Sequence, residues 1–234
     1  MQERARLRIL NAPHASEWER FKNAPACMVR VERSLSPCDG CLSHCCHHDA
    51  HLSAFEATRM ALTLAVPLES FVVPEPYKAA DIGLAPYHAI RLDEGRVRLK
   101  LRRREDRSCV FLFKLGERGR CGAYALRPGI CRLYPFELEE GDAHIHVGTL
   151  AYCPTQWLHD EDTEARIEGD LQRWREDLAA DKKLVARWNR DARQDRSFAA
   201  FARFAVESLA PSFGVAPDEL YPRPRRRLGQ RGPG

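Results

Sequence analysis

CDGCLSHCC, residues 38–46, sets four thiols in nine residues, two of them adjacent. Cys38-x-x-Cys41 is the spacing of a metal knuckle: two intervening residues let both sulfurs turn to one centre, and Asp39-Gly40 suits a tight turn. Cys45 and Cys46 add a constraint. In extended chain, neighbouring side chains point to opposite faces, so vicinal thiolates seldom both reach one tetrahedral ion and more easily serve two metal atoms. Four more cysteines, Cys109, Cys121, Cys131 and Cys153, stand on or beside turns of the middle third. Eight thiols fit two four-cysteine zinc sites, two iron–sulfur clusters, or one polynuclear centre with structural ligands, and spacing does not select among them. Cys27, apart from the others in NAPACMV, reads as a small buried hydrophobe. A redox dithiol at Cys38 and Cys41 would leave Cys45 and Cys46 without a role.

Histidines crowd the same segment at His44, His47, His48 and His51, and imidazole is a common zinc ligand. In so polar a loop they read mainly as solvated. The second informative stretch is CGAYALRPGICRLYPF, residues 121–136. Thiolate-rich centres carry negative charge, which nearby arginines stabilise through charge-assisted hydrogen bonds. Arg127 and Arg132 flank Pro128 and Cys131 and are placed for that role beside a bound metal. Pro128 suits the first turn of a short helix holding Ile130 and Cys131, and Pro135 should end it.

These residues need elements to hold them. Ser53-Ala54-Phe55-Glu56 is a capping-box signature, so a helix should begin there and stop before Pro67. A second short helix is expected over 68–72. Residues 87–92 and 96–102 flank Asp93-Glu94-Gly95, and Val97, Leu99 and Leu101 alternate with charged residues, which predicts a hairpin with one wet face. Arg102, Arg103 and Arg104 read as the solvated end of that face. Cys109 to Phe113 and Ile145 to Val147 are strand-like, with a turn near Gly116 to Gly119. Ile167, Leu171, Trp174, Leu178, Val185 and Trp188 recur at helical spacing with Asp181 breaking the stripe, and a second helix carries Phe198, Phe201, Phe204 and Leu209 to a close near Pro211. The N-terminal segment offers only a short helix over 15–22. The fold class expected is α+β: an N-terminal segment over 1–34, a small cysteine-rich metal-binding domain with short helices and hairpins over 35–157, a helical hairpin over 158–211 and a basic tail over 212–234 that is too polar to fold.

Composition narrows the function. The chain has 234 residues, 30% of them charged, so thiols need not replace a missing core. Charges interrupt the N-terminus where a secretory signal needs an apolar run, and no stretch is long enough to span a bilayer. This points to the cytoplasm, where thiols stay reduced and dense cysteines favour metal over disulfides. A net charge of +4 is mild and partly lodged in the arginine-rich tail. No basic face with reading aromatics accompanies it, which argues against a nucleic-acid partner. Nucleophile elbows, zinc-protease motifs and phosphate-binding loops are absent from the sequence.

Taken in order, Cys38-x-x-Cys41-x-x-x-Cys45-Cys46, the Ser53 helix start, Cys109-Val-Phe-Leu, Cys121-Gly-Ala-Tyr124 and Arg127-Pro128-x-x-Cys131-Arg132-x-Tyr134-Pro135-Phe136 resemble the YkgJ-type cysteine-cluster family over about residues 35–155. The resemblance implies a zinc- or iron-chelating domain in a bacterial cytoplasmic protein, with the eight cysteines as ligands. A related pattern in flagellin lysine methylases suggests methyl transfer, but this chain lacks a glycine-rich cofactor loop. Nor does its x2-then-x3 spacing match radical S-adenosylmethionine enzymes. The expectation is a protein that binds an iron–sulfur cluster or zinc, iron–sulfur being preferred because the adjacent pair and the arginines suit an anionic multi-metal centre. Two rivals are an iron–sulfur oxidoreductase or protein methylase, and a zinc-held interaction module whose C-terminal helices recruit a protein.

Overall fold

In the computed structural model, which describes residues 44–78, 88–115, 118–134, 136–138, 145–147, 161–191 and 195–221, Ser53 and Glu56 form the reciprocal cap their spacing predicts. Ser53 Oγ accepts from Glu56 N at 3.1 Å, and Glu56 Oε2 accepts from Ser53 N at 2.9 Å. Helix α1 (Ala54–Leu64) follows, and Ala65, in the left-handed region at φ 53°, closes it before Pro67. The short helix expected over 68–72 is a single 3-10 turn, Leu68–Ser70. From Val72 the β-branched pair instead joins a sheet.

That sheet is built on one central strand, β4 (Gly95–Leu101). Strand β2 (Val72–Pro76) covers one edge, while β1 (His51–Leu52) and β3 (Ile90–Leu92) share the other, all antiparallel. The predicted hairpin is present: Leu92 faces Gly95 across Asp93-Glu94, and Gly95 takes the positive φ, 119°, that the turn requires. Val97, Leu99 and Leu101 are buried. On the opposite face Glu75 accepts from His51 Nε2 at 2.9 Å, Arg98 Nε at 2.8 Å and Lys100 Nζ at 2.7 Å.

Two small hairpins follow, β5 (Leu112–Leu115) with β6 (Arg118–Cys121), and β7 (Phe136–Leu138) with β8 (Ile145–Val147). Between them lie a 3-10 turn, Tyr124–Leu126, and the short helix α2 (Gly129–Leu133). The strand expected over 109–113 starts only at Leu112. Leu112 N donates to Cys109 O at 2.9 Å, a local turn that leaves Cys109 a single bridge residue opposite Arg103. The three arginines read as solvated are engaged: Arg102 donates to Glu69 O, Arg103 to Asp49, and Arg104 to Val110 O and Leu112 O.

Helix α3 (Glu161–Arg190) and helix α4 (Phe198–Phe213) both pack on α1, and the four-residue α5 (Pro217–Leu220) ends the described chain. Helix α4 runs through Pro211 to Gly214. A proline this near the end removes only one intrahelical donor, and Gly214 (φ 64°) supplies the left-handed cap. Asp181, the break in the apolar stripe of α3, is fully buried. It accepts from Phe55 N at 3.2 Å and from His88 Nδ1 at 2.8 Å, so it caps the start of α1 from the facing helix. Trp188 is equally buried, edge-on to Phe201 at 5.3 Å, and its Nε1 donates to Arg91 O at 2.8 Å. One core thus draws on α1, the sheet, and helices α3 to α5. The molecule is α+β. Among the described residues no helix is long and apolar enough to cross a membrane, and the helix expected over 15–22 lies outside them.

Candidate metal centre

Five of the eight cysteines fall within the described residues, and all five line one cavity of about 490 Å³. They arrive from four segments. Cys45 and Cys46 sit in the 3-10 turn His44–His47, Cys109 in its bridge with Arg103, Cys121 at the end of β6, and Cys131 in α2. Backbone bonds fix this assembly: Cys109 N donates to Cys46 O at 2.7 Å, and Gly122 N to Phe111 O at 2.7 Å. A Cβ at Gly122 would stand 3.3 Å from that same oxygen, so the turn after Cys121 favours glycine by closeness of approach. All five thiols are free; Cys45 is exposed and the others are half-buried. Cys38, Cys41, Cys153 and Cys27 lie outside the described residues.

The thiols differ in acidity. A hydrogen bond from Cys46 is the main cause that brings Cys45 down to about 7, with the Arg127 charge adding to it against the opposing effect of burial. Cys46, as the donor, is pushed up. Burial raises Cys109, Cys121 and Cys131, and the neighbouring thiols add to the rise at Cys131. Once Cys45 has ionised, the other four thiols resist giving up their protons in the absence of a cation. A metal ion reverses that preference, because it binds the thiolate and releases the proton.

The arginines divide. Arg127 lines the cavity with its guanidinium 3.8 Å above the Tyr124 ring. Arg132 turns to α3 instead, with Nε 3.4 Å from Asp170 and Nη2 3.5 Å from Asp177, while its Nη1 donates to Arg127 O at 2.9 Å. Of the histidines, His48 lines the cavity, His51 is bound to Glu75, and His47 is exposed.

Sequence reasoning gave Glu56 only a capping role. Its second oxygen accepts from Gly129 N at 2.6 Å, so one buried carboxylate joins the start of α1 to the start of the helix that carries Cys131. Burial raises its pKa, with those hydrogen bonds opposing. Gly129 itself lies against Trp174 of α3: a Cβ there would come within 2.1 Å of the ring. The signal in the sequence was the glycine after Pro128, but its neighbour 45 positions away was not.

Among the described residues no three His, Cys, Asp or Glu side chains converge closely enough to hold an ion as they stand. The fit to a metal is therefore one of donor chemistry: several soft sulfurs gathered on one cavity, with positive charge beside them, suit zinc or iron. Comparisons with curated proteins and with solved structures returned no match. A family model of the CxxCxxCC type, described as a zinc- or iron-chelating domain, matches residues 37–154, just over half of the chain. The matched segment contains all five cavity cysteines together with Cys38, Cys41 and Cys153, and the chain belongs to this zinc- or iron-chelating family.

Proposed function

We propose that Cys38, Cys41, Cys45, Cys46, Cys109, Cys121, Cys131 and Cys153 bind an iron–sulfur centre in a reducing, cytoplasmic setting, zinc being the other metal these thiols suit. The observation that carries the reading is the gathering of five thiols from four separate segments on one cavity. Both members of the vicinal pair open on that cavity from a 3-10 turn, not from extended chain, and the number of thiols exceeds the four that one tetrahedral ion takes, which favours a centre of more than one metal atom. When bound, an iron–sulfur centre supplies one-electron chemistry, whereas zinc supplies a cross-link that stabilises the fold. The chain's own part is to hold sulfurs from distant segments at one place, to keep Cys45 readily ionised, and to set Arg127 beside the thiolates.

Purification without oxygen tests this, with the visible spectrum and the iron, zinc and acid-labile sulfide per chain as readouts. A brown protein with matched iron and sulfide is expected. Colourless protein with stoichiometric zinc would replace the iron–sulfur part, and protein without either metal would remove the reading. Serine at Cys121 or Cys131 should lower the metal content, while Cys27→Ala should leave it unchanged.

A further inference from the structure

We propose that Arg103 is the guanidinium held in reserve for the loaded centre, donating from Nε and Nη2 to the thiolate of Cys109; this rests on the metal-binding reading above. The isolated antiparallel bridge sets Arg103 directly opposite Cys109. Residues so paired send their side chains to the same face, with Cβ atoms about 4.5–5.5 Å apart. Arg103 Nη1 reaches Asp49 Oδ1 at 3.1 Å. Its Nε and Nη2 are shut off from solvent and meet no acceptor among the described residues. A buried donor left in that state is costly and calls for an explanation.

The two chain neighbours, Arg102 and Arg104, show no buried donor in that state among the described residues. Arg102 Nη2 donates to Glu69 O at 2.8 Å, and Arg104 donates to Leu112 O at 2.7 Å and Val110 O at 2.8 Å. Arg132 also keeps a buried Nε without a hydrogen-bond partner, but that nitrogen lies 3.4 Å from the Asp170 carboxylate of α3, so its charge is already met. The residue set opposite Arg103 across the bridge carries a sulfur, and the chemistry of that sulfur depends on its state. A neutral thiol accepts weakly, whereas a metal-bound thiolate is anionic and accepts charge-assisted bonds well. Metal loading thus creates the acceptor that these two buried donors lack among the described residues, and Arg103 acts as a positioning and charge-balancing residue for Cys109.

The test is a cobalt(II) titration of the reduced full chain, following the thiolate-to-cobalt charge-transfer band. Arg103→Gln should weaken cobalt binding about 10–100-fold, the usual effect of removing such a partner. Its band should also move to lower energy, because a sulfur that loses hydrogen bonds becomes more electron-rich. Arg103→Lys keeps the charge without the fork, so it should recover part of the affinity and leave the band displaced. Arg102→Gln removes an equal charge one residue away and should keep the wild-type band. Wild-type affinity and band energy in Arg103→Gln would overturn the assignment. Should that variant fail to fold, an undisplaced band in Arg103→Lys overturns it equally. A wild-type chain that forms no thiolate–cobalt band removes the metal reading itself, a different outcome from an arginine without effect.

Discussion

Gly129 is the residue with the least freedom beside the thiols. A Cβ there would stand 2.1 Å from Trp174 Cδ1, while its N–H must stay 2.6 Å from Glu56 Oε1. Neither neighbour yields easily, since one is a ring packed on α3 and the other a buried carboxylate held by Ser53. Gly129→Ala should therefore cost about 1–3 kcal/mol, the range for overfilled interiors. It should also move Cys131, two residues on, away from the cavity. Thermal melting and metal content per chain check this, and Trp174→Ala in the same chain should restore part of the metal content by opening the space. At this scale the five cysteines that line the cavity were legible because the residue type is itself the signal. The arginines were not. Arg132 adjoins Cys131 and Arg127 stands four residues before it, so sequence alone favours Arg132, yet successive helical residues diverge by about 100°. One position beyond Cys131, Arg132 therefore faces the carboxylates of α3. Arg103 was hidden because its partner Cys109 meets it through a strand bridge, and periodicity alone does not show which residues a bridge sets opposite each other.

Between elements, carboxylates do most of the joining. Asp177 of α3 accepts from Arg59 of α1 at 2.6 and 2.8 Å, and lies 3.5 Å from Arg132 of α2, so one side chain ties together three helices. Asp177→Ala would leave two half-buried guanidinium groups short of an acceptor and should cost about 1–3 kcal/mol. Chelator-driven metal release should accelerate in step, because α2 carries Cys131. The wet face of the sheet gives a pH signature. Partial burial pushes the Glu75 carboxyl up, but hydrogen bonds from Lys100, His51 and Arg98 outweigh it and hold it at about 2, below the ordinary 4.5. A carboxylate depressed in the fold stabilises fully above its unfolded pKa, and the contribution is lost as pH falls towards the folded one. Stability should thus decline between about pH 4.5 and 2. In Glu75→Gln that portion of the decline should vanish, as followed by urea midpoints across the interval. The capping box of α1 and the hairpin of β3 and β4 were readable beforehand because local chemistry fixes both. The strand expected over 109–113 begins only at Leu112 because a local turn from Cys109 to Leu112 outweighed its apolar pattern. Asp181 looked like a flaw in α3 because the helix end it caps belongs to another element.

On the scale of the molecule, the metal-binding segment and the C-terminal helices share one interior. Leu52, Met60 and Leu99 from the first belong to the same buried cluster as Trp188, Phe201 and Phe204 from the second. Sequence patterning separated the two because the family signature ends near residue 154 and an amphipathic stripe begins just beyond it. That stripe could not reveal which surface it covers. Removing the helices would expose α1 on two sides, and it would also remove Asp177 and Asp181, which hold α1 and α2 in place. The fragment 35–157 should therefore show no cooperative thermal transition and should bind zinc or iron far more weakly than the whole chain. A single large truncation in that core, Trp188→Ala, should cost about 3–5 kcal/mol. If metal and fold are coupled, chelation of the intact protein should lower its melting temperature and saturation should raise it. Fragment and full chain can be compared by circular dichroism melts and metal analysis on the same preparation. A fragment that melts cooperatively and holds the full metal complement would show that the helices are an appendage. Loss of both properties would make them part of the machinery that assembles the thiols.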